Sequence, residues 1–299
     1  MTEGNSGRIA AVGAYALWGL LPIFWKFIDT IPAIEILAHR IVWSLAFTLI
    51  LLTITTQWSW ILKLRSSPAT YLPFLASAVI LGLNWYTYIY AMNSDHIVEA
   101  SLGYFINPLF SVVLGVIFLR ERLRRLQWIA VGLALIGVMY LTWNYGRIPW
   151  IALTLALTFG IYGLLRKTAS LGSLRGLTLE MMVLFLPALI FLTILHSQGN
   201  GSLGQVKLWE NVFLILTGAA TATPLLLFAY GAKRIPLASI GILQYIAPTL
   251  QFLLGVFIYR EPFTGERLVG FILIWIALGL YTGEGIAFRR RRNIATRLR

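Results

Sequence analysis

Three ionisable residues interrupt the apolar segment EILAHRIVWS, residues 35–44: Glu35, His39 and Arg40. A guanidinium presents a rigid fork of donors that matches a carboxylate bidentately. A histidine, with a reference pKa of about 6.5, can carry a proton. Glu35 stands four residues before His39, so the two share a face if the segment is helical. Arg40 has two readings, an anchor for an anionic or carboxylate-bearing ligand, or a structural tie to Glu99 or to carbonyls of a neighbouring helix. His39 is either a proton-coupling group or a satisfied interhelical histidine.

Other polar and aromatic residues stand at helical spacing. NWYTYIY (84–90) places Asn84 and Tyr88 on one stripe with Trp85 beside it, and EASLGYFINP (99–108) places Ser101, Tyr104 and Asn107 on another. Gln244 and Tyr245 precede Pro248, and Trp18 opens WGLLPIFWK. Rings for apolar parts and amides for orientation suit a pocket for an amphipathic small molecule. The competing reading is ordinary helix packing. Trp58, Trp60, Trp143, Trp150 and Trp209 read as an interfacial belt instead.

Elements of the right length must hold these residues. Of the 299 residues 59% are hydrophobic and 12% charged, with a mean hydropathy of +0.79, a balance that excludes an ordinary water-soluble domain. The charges leave ten apolar runs, each near the roughly 20 residues that cross a hydrocarbon core about 30 Å thick. The expected helices are 8–26, 32–57, 70–92, 97–119, 125–143, 148–167, 176–196, 210–231, 236–259 and 267–288. Solid runs rather than alternating ten-residue segments argue against a barrel. The fold expected is therefore an all-α integral membrane protein. Arg40, nine residues past Ile31, lies roughly 13 Å deep at about 1.5 Å per residue, near the bilayer centre, where an ionisable side chain is costly unless it meets a cavity or a partner.

Eighteen of the 24 Lys and Arg residues fall on one face if the N-terminus is inside, and five (Lys26, Arg147, Lys207, Arg260, Arg267) on the other. That asymmetry places both termini in the cytoplasm. The first apolar run lacks a strong basic leader and a small-residue cleavage site, so it is read as a retained helix. The RRRR run at 289–292 reads as a stop anchor that favours anionic lipid. The net charge of +13 is explained by this placement and calls for no nucleic-acid partner. With no cysteine and with His39, His96 and His196 scattered, neither disulfides nor a metal site are expected. No Walker, dinucleotide or nucleophile-elbow motif is present, and no cofactor is expected.

The chain repeats itself. NPLFSVVLGVIFLRERL from Asn107 aligns without gaps with APTLQFLLGVFIYREPF from Ala247, at an offset of 140, and WGLLPIFWK (18–26) runs beside FGIYGLLRK (159–167). Five helices per half is an odd number, so residues 1–146 and 147–299 are expected to be inverted copies, an arrangement that puts a substrate site near the midplane between them. The repeat also suggests gates. Lys26 with Glu35 would close the outer mouth, and Lys167 with Glu180 the inner one; the alternative is that both lysines snorkel to head groups.

These residues carry a resemblance. AYALWGLLPIFWK (14–26), EILAHRIVWS, the block EASLGYFINPLFSVVLGVIFLRERLRRLQWIAVGLALIGV (99–138), YGLLRK (162–167) and ILQYIAPTLQFLLGV (242–256) resemble the RarD group of EamA-type transporters, in the drug/metabolite transporter superfamily. The likeness spans nearly the whole chain; Asp95, in YAMNSDHIVEA, departs from it. It implies an inner-membrane exporter, and the group's label, chloramphenicol sensitivity, names no natural substrate. The function expected is secondary transport of a small organic metabolite or drug-like compound by alternating access. The rivals are an integral-membrane enzyme and a non-transporting scaffold; the enzyme would need clustered acid, base or metal ligands, and the 11 carboxylates are strewn singly. The partners expected are the small-molecule substrate and the lipid bilayer, with a homodimer left open.

This topology has a direct check. Single cysteines at Ser94 and Ser202 should react with an impermeant thiol reagent applied outside cells, and those at Ser67 and Ser173 should not; the reverse pattern would overturn the orientation.

Overall fold

A computed structural model describes residues 3–56, 58, 60, 68–94, 96–143, 148–260 and 265–297. Ten helices among the described residues are long and apolar enough to cross a membrane. They are α1 Glu3–Trp25, α2 Ala33–Ile54, α3 Pro68–Asn93, α4 Ile97–Leu119, α5 Arg125–Trp143, α6 Trp150–Thr168, α7 Ser173–Ser197, α8 Leu208–Ala232, α9 Leu237–Ile258 and α10 Gly265–Arg297. The charge-free runs locate all ten. Two ends differ from expectation by more than three residues: α1 begins at Glu3, and α10 continues through Arg289–Arg292 to Arg297, arginine being a good helix former. The side chains of that basic run, together with Ser67 and Asp95, lie outside the described residues.

Prolines shape the interior. Pro248 has no N–H to offer the carbonyl of Gln244 and its ring crowds that carbonyl. Accordingly α9 breaks into Leu237–Gln244 and Ile246–Leu253, then ends in a π-turn over Leu254–Ile258. The repeat-related Pro108 leaves α4 continuous. Both helices stop in the same way: Arg120 and Arg260, 140 residues apart, each take φ of 53°. A left-handed non-glycine residue costs about 1 kcal/mol, and at Arg120 it reverses the chain so that the Glu121 N–H donates back to the Gly115 carbonyl. The Glu121 carboxylate then accepts from the free N–H groups of Leu237 (2.6 Å) and Ala238 (2.9 Å) and so caps α9.

Helix α1 packs on α8 and α9, and α6 packs on α3 and α4; α2 meets α7 and α8, and α7 meets α2 and α3; α4 lies on α9, and α5 on α10. Exchanging each helix with the one five places along returns the same principal contacts. The outward surface is apolar, with Ile117, Phe118, Leu186 and Phe257 exposed, as lipid contact requires. Of the belt tryptophans Trp58, Trp143, Trp150 and Trp209 are exposed; Trp60 is buried among protein, which corrects its assignment.

Small residues set the helix spacing, because lipid supplies no hydrophobic drive between helices. A Cβ at Gly218 of α8 would stand 2.3 Å from the carbonyl carbon of Trp43 in α2. The Ser44 hydroxyl donates to the Gly218 carbonyl at 3.1 Å across the same seam. Gly218→Val should therefore force α2 and α8 apart and destabilise the protein by about 1–3 kcal/mol or more. Gly279→Ala, with no atom within 4 Å of its added Cβ, should be neutral or stabilising by up to about 1 kcal/mol. Thermal unfolding in detergent distinguishes the two, and equal behaviour would refute the role given to Gly218.

Candidate substrate-binding site

The α2–α8 seam positions Arg40. One turn along α2 from Ser44 and one turn along α8 from Gly218, the Arg40 Nε donates to the Thr221 hydroxyl at 2.9 Å. The guanidinium carbon stands 5.0 Å from the Trp25 ring and 5.1 Å from the Trp85 ring, an indole from α1 and another from α3. Among the described residues no carboxylate pairs with Arg40. The tie to Glu99 is not made; Glu99 accepts from the Ile151 N–H at 2.7 Å, at the start of α6.

Arg40 faces a cavity of about 160 Å³ bounded by α1, α2, α3, α4, α6, α8 and α9. Of the residues expected from sequence, Trp18, Arg40, Asn84, Trp85, Tyr88, Tyr104, Asn107 and Gln244 line it. The rings of Tyr88 and Tyr104 meet edge to face at 6.3 Å. The Asn84 amide donates to the Leu155 carbonyl (3.0 Å) and the Thr158 hydroxyl (2.8 Å), tying α3 to α6. Asn107 and Gln244 are each 5% exposed, and their side-chain carbonyl oxygens have no hydrogen-bond partner.

Three expected residues lie elsewhere. Ser101 is on an exposed face of α4, because the residues three, four and seven before Asn107 (Tyr104, Gly103 and Ala100) line the cavity and 101 does not share their face. Tyr245 is fully buried at the break in α9 and donates its hydroxyl to the Phe105 carbonyl at 3.1 Å. His39 does not line the cavity; it stands 3.7 Å from Glu35, with neither ring nitrogen in a hydrogen bond. Sequence reasoning missed Tyr15, Trp25, Phe159, Thr221 and Gln251, which also line the cavity. Trp25 and Phe159 were the most accessible of these, since both stand in the repeated segments WGLLPIFWK and FGIYGLLRK.

The four residues expected at the mouths are engaged with other partners here. The Lys26 ammonium sits 3.5 Å above the centre of the Tyr259 ring. Glu35 accepts from the backbone N–H (2.6 Å) and hydroxyl (2.7 Å) of Ser202, pinning the α7–α8 connection over the start of α2. Lys167 donates to the carbonyls of Ala232 (3.1 Å) and Ile235 (2.5 Å) and lies 3.8 Å from Glu121. Lys233 reaches back to the Ala169 and Leu171 carbonyls, and burial, with Arg166 and Arg234 nearby, lowers its pKa from the ordinary lysine value. Glu180 is wholly buried and receives hydrogen bonds from Ser77 (2.5 Å), Tyr162 (3.2 Å) and Arg166 (3.4 Å). Counted from the helix N-caps Pro32 and Gly172, the residue equivalent to Glu180 is Arg40 rather than Glu35.

The cavity lies toward the Lys26 end of the bundle. Its lining on α1 runs to Trp25, next to Lys26, while on α6 it stops at Phe159. Beyond that, the rings of Phe159, Tyr162 and Phe228 close-pack with centroids 5.3–5.9 Å apart and fill the path toward Lys167.

Ten apolar spans around a part-polar cavity describe a multi-pass membrane transporter. The chain belongs to the EamA-like transporter family, which matches residues 5–143 and again 147–283, and within it to the RarD group. It is 44% identical over 289 residues to Protein RarD of Streptomyces exfoliatus, covering 97% of this chain and 92% of that one. With Protein RarD of Escherichia coli it shares 43% identity over 291 residues (97% and 98% covered), and with the uncharacterized transporter YojE of Bacillus subtilis 45% over 295 residues (96% and 97%). A solved crystal structure only 18% identical superposes with a TM-score of 0.69 over 93% of this chain and 97% of that one, which shows the same fold.

The buried cluster around Glu180 makes a sharp expectation. Glu180→Ala strands the Arg166 guanidinium, itself fully buried, and should cost about 3–5 kcal/mol. Glu180→Gln, which keeps acceptors for Ser77 and Tyr162, should cost less. Melting of the purified variants in detergent tests this, and a wild-type melting temperature for Glu180→Ala would show that the pair does not hold α6 and α7 together.

Proposed function

We propose that the protein is a secondary carrier of the cytoplasmic membrane, with both termini inside, that moves a small carboxylate-bearing organic compound outward by alternating access. The observation that carries this reading is Arg40: a cation deep in the membrane-spanning bundle, clamped between two indoles, facing a cavity, and without a carboxylate among the described residues. A buried charge of this kind is unfavourable until something neutralises it. A ligand carboxylate would do so, meeting the guanidinium edge that Thr221 leaves open.

In this reading residues 1–146 and 147–299 are inverted halves, and the substrate site lies between them. The exchange symmetry of the helix contacts and the matching left-handed ends at Arg120 and Arg260 support that relation. Alternating access needs the two mouths to differ in any one state. The Lys167 mouth is held by Lys167 and Lys233, each donating to carbonyls across the α6–α8 gap, over a plug of aromatic rings. At the other mouth the repeat-related Lys26 rests on Tyr259, and the cavity extends beside it. The state is then outward-facing. Opening the inner mouth requires Lys167 and Lys233 to leave their carbonyls, and Glu35 with Ser202 then helps shut the outer one.

Purified protein in proteoliposomes, screened against radiolabelled organic acids and their neutral amides or esters, tests the reading. Carboxylates should be transported and the neutral analogues should not. Arg40→Gln should reduce transport at least ten-fold while leaving insertion and melting near wild type, an effect on the order of the 1.5–3 kcal/mol of a charged hydrogen bond. Transport of neutral analogues at equal rates, or full activity of Arg40→Gln, would refute it.

A further inference from the structure

Resting on that reading, the wall of the cavity away from Arg40 defines the far end of the ligand. We infer that the site takes a monocarboxylate whose far end carries a neutral acceptor oxygen, such as a ketone or ester carbonyl, received by the amide N–H groups of Asn107 and Gln244.

Charge comes first. Arg40 is the one ionisable cation among the lining residues, and no acidic side chain joins it. One positive charge balances one carboxylate; a second negative charge would enter a site with no second cation to meet it. Placement comes next. Arg40 stands on α2, which packs on α7 and α8, whereas Asn107 stands on α4 and Gln244 on α9, which pack on one another. Helices α4 and α9 run antiparallel there: Ala238 lies against Gly115, Gly241 against Pro108, and the Tyr245 hydroxyl on the Phe105 carbonyl. That register brings Gln244 to the level of Asn107. The cation and the amide pair thus face one cavity from different walls, and a ligand held at one end by Arg40 presents its other end to the amides.

The amides decide the chemistry of that end. In Asn107 and Gln244 alike the carbonyl oxygen is shut in, and the amide nitrogen, which bonds to no acceptor among the described residues, is the polar atom with access. The reverse orientation would shut in two N–H groups per side chain in place of one carbonyl, and an unmet buried N–H is rarer in folded proteins than an under-satisfied carbonyl. Other lining amides use their N–H groups within the protein: Asn84 on the Leu155 carbonyl and the Thr158 hydroxyl, Gln251 on the Trp18 carbonyl at 3.3 Å. Two unused donors side by side suit one acceptor oxygen, which has two lone pairs. A ligand donor placed there would meet only donors, and a hydrocarbon end would leave both N–H groups unmet. Between the two ends the walls are apolar, with Trp18, Trp25, Trp85 and Phe159 around the space. A volume of about 160 Å³, close to the roughly 150 Å³ cavity that holds benzene, admits one ring there.

Calorimetric titration of the purified full-length chain with 4-acetylbenzoate, 4-isopropylbenzoate, 4-aminobenzoate and terephthalate tests this. The acetyl and isopropyl groups have nearly the same shape, and only the first carries an acceptor. 4-Acetylbenzoate should bind roughly ten-fold tighter than 4-isopropylbenzoate, the factor that one net hydrogen bond supplies, and tighter than the donor-bearing 4-aminobenzoate and the doubly charged terephthalate. Asn107→Leu and Gln244→Met, which remove the N–H groups at similar volume, should each shrink the preference for acetyl over isopropyl, by roughly three-fold or more. Arg40→Gln should remove binding of all four. The ranking of ligands on the unaltered chain stands even if a variant fails to fold. If 4-isopropylbenzoate binds as tightly as 4-acetylbenzoate and only Arg40→Gln abolishes both, the acceptor-binding subsite is wrong while the carboxylate carrier survives. Tighter binding of 4-aminobenzoate would mean that the amides present their oxygens, and tighter binding of terephthalate that a second charge is accepted; either overturns the inference, as does an acetyl preference that neither amide substitution alters. If none of the four binds in an Arg40-dependent way, this inference fails, and the transport screen then decides separately whether another carboxylate uses Arg40.

Discussion

The close approach of Gly218 in α8 to the backbone of Trp43 in α2 is the contact on which the site depends. A larger residue at 218 would move the helices apart, and the Thr221 hydroxyl would leave the Arg40 Nε. Once that bond holds the side chain, the two indoles can flank the guanidinium and its remaining N–H groups are left facing the cavity. A long flexible cation is thereby turned into a fixed one. Fixed donors in a low-dielectric space give a ligand carboxylate far more than a mobile lysine at the surface would.

The two halves treat equivalent positions in opposite ways. Arg40 and Glu180 each stand eight residues beyond the N-cap of their helix, yet one is a cation and the other an anion. In the second half Arg166 takes the place that Trp25 holds in the repeated segment, and its guanidinium meets Glu180 inside a shell completed by Tyr162 and Ser77. The second half thus carries its own counter-ion and packs solid. In the first half an aromatic ring replaces the counter-ion, and the space stays open. Duplication alone would produce two similar sites; with one residue type exchanged at each of two positions, the cavity beside Arg40 lies off-centre toward Lys26.

Polar satisfaction also organises the ends. Glu121 caps α9 across the repeat boundary, Glu99 accepts from the start of α6, and Glu35 holds Ser202. Each carboxylate answers free N–H groups at a helix start or in a connection, which membrane surroundings leave without water. These carboxylates read as strewn singly along the chain because each serves a different end of a different helix. Only the fold shows that they share one task.

The class of protein and the span of each helix were legible in the residues themselves, because a membrane core admits only long apolar segments and the charges mark their ends. The offset of 140 was equally plain, and the two residues it pairs, Arg120 and Arg260, take the same left-handed backbone conformation. Eight lining residues were found by stripe and spacing, since a helix projects one face inward wherever it borders a cavity. Partners were not legible. Whether Lys26 meets Glu35 or Tyr259, whether Glu180 meets Lys167 or Arg166, and whether His39 faces the cavity or Glu35 depend on the rotation and spacing of helices far apart in sequence. Those rotations are set by contacts such as Gly218 on Trp43 and Gly241 on Pro108, which join residues more than a hundred positions apart. Periodicity along one helix says which residues share a face; only packing between helices decides what that face meets.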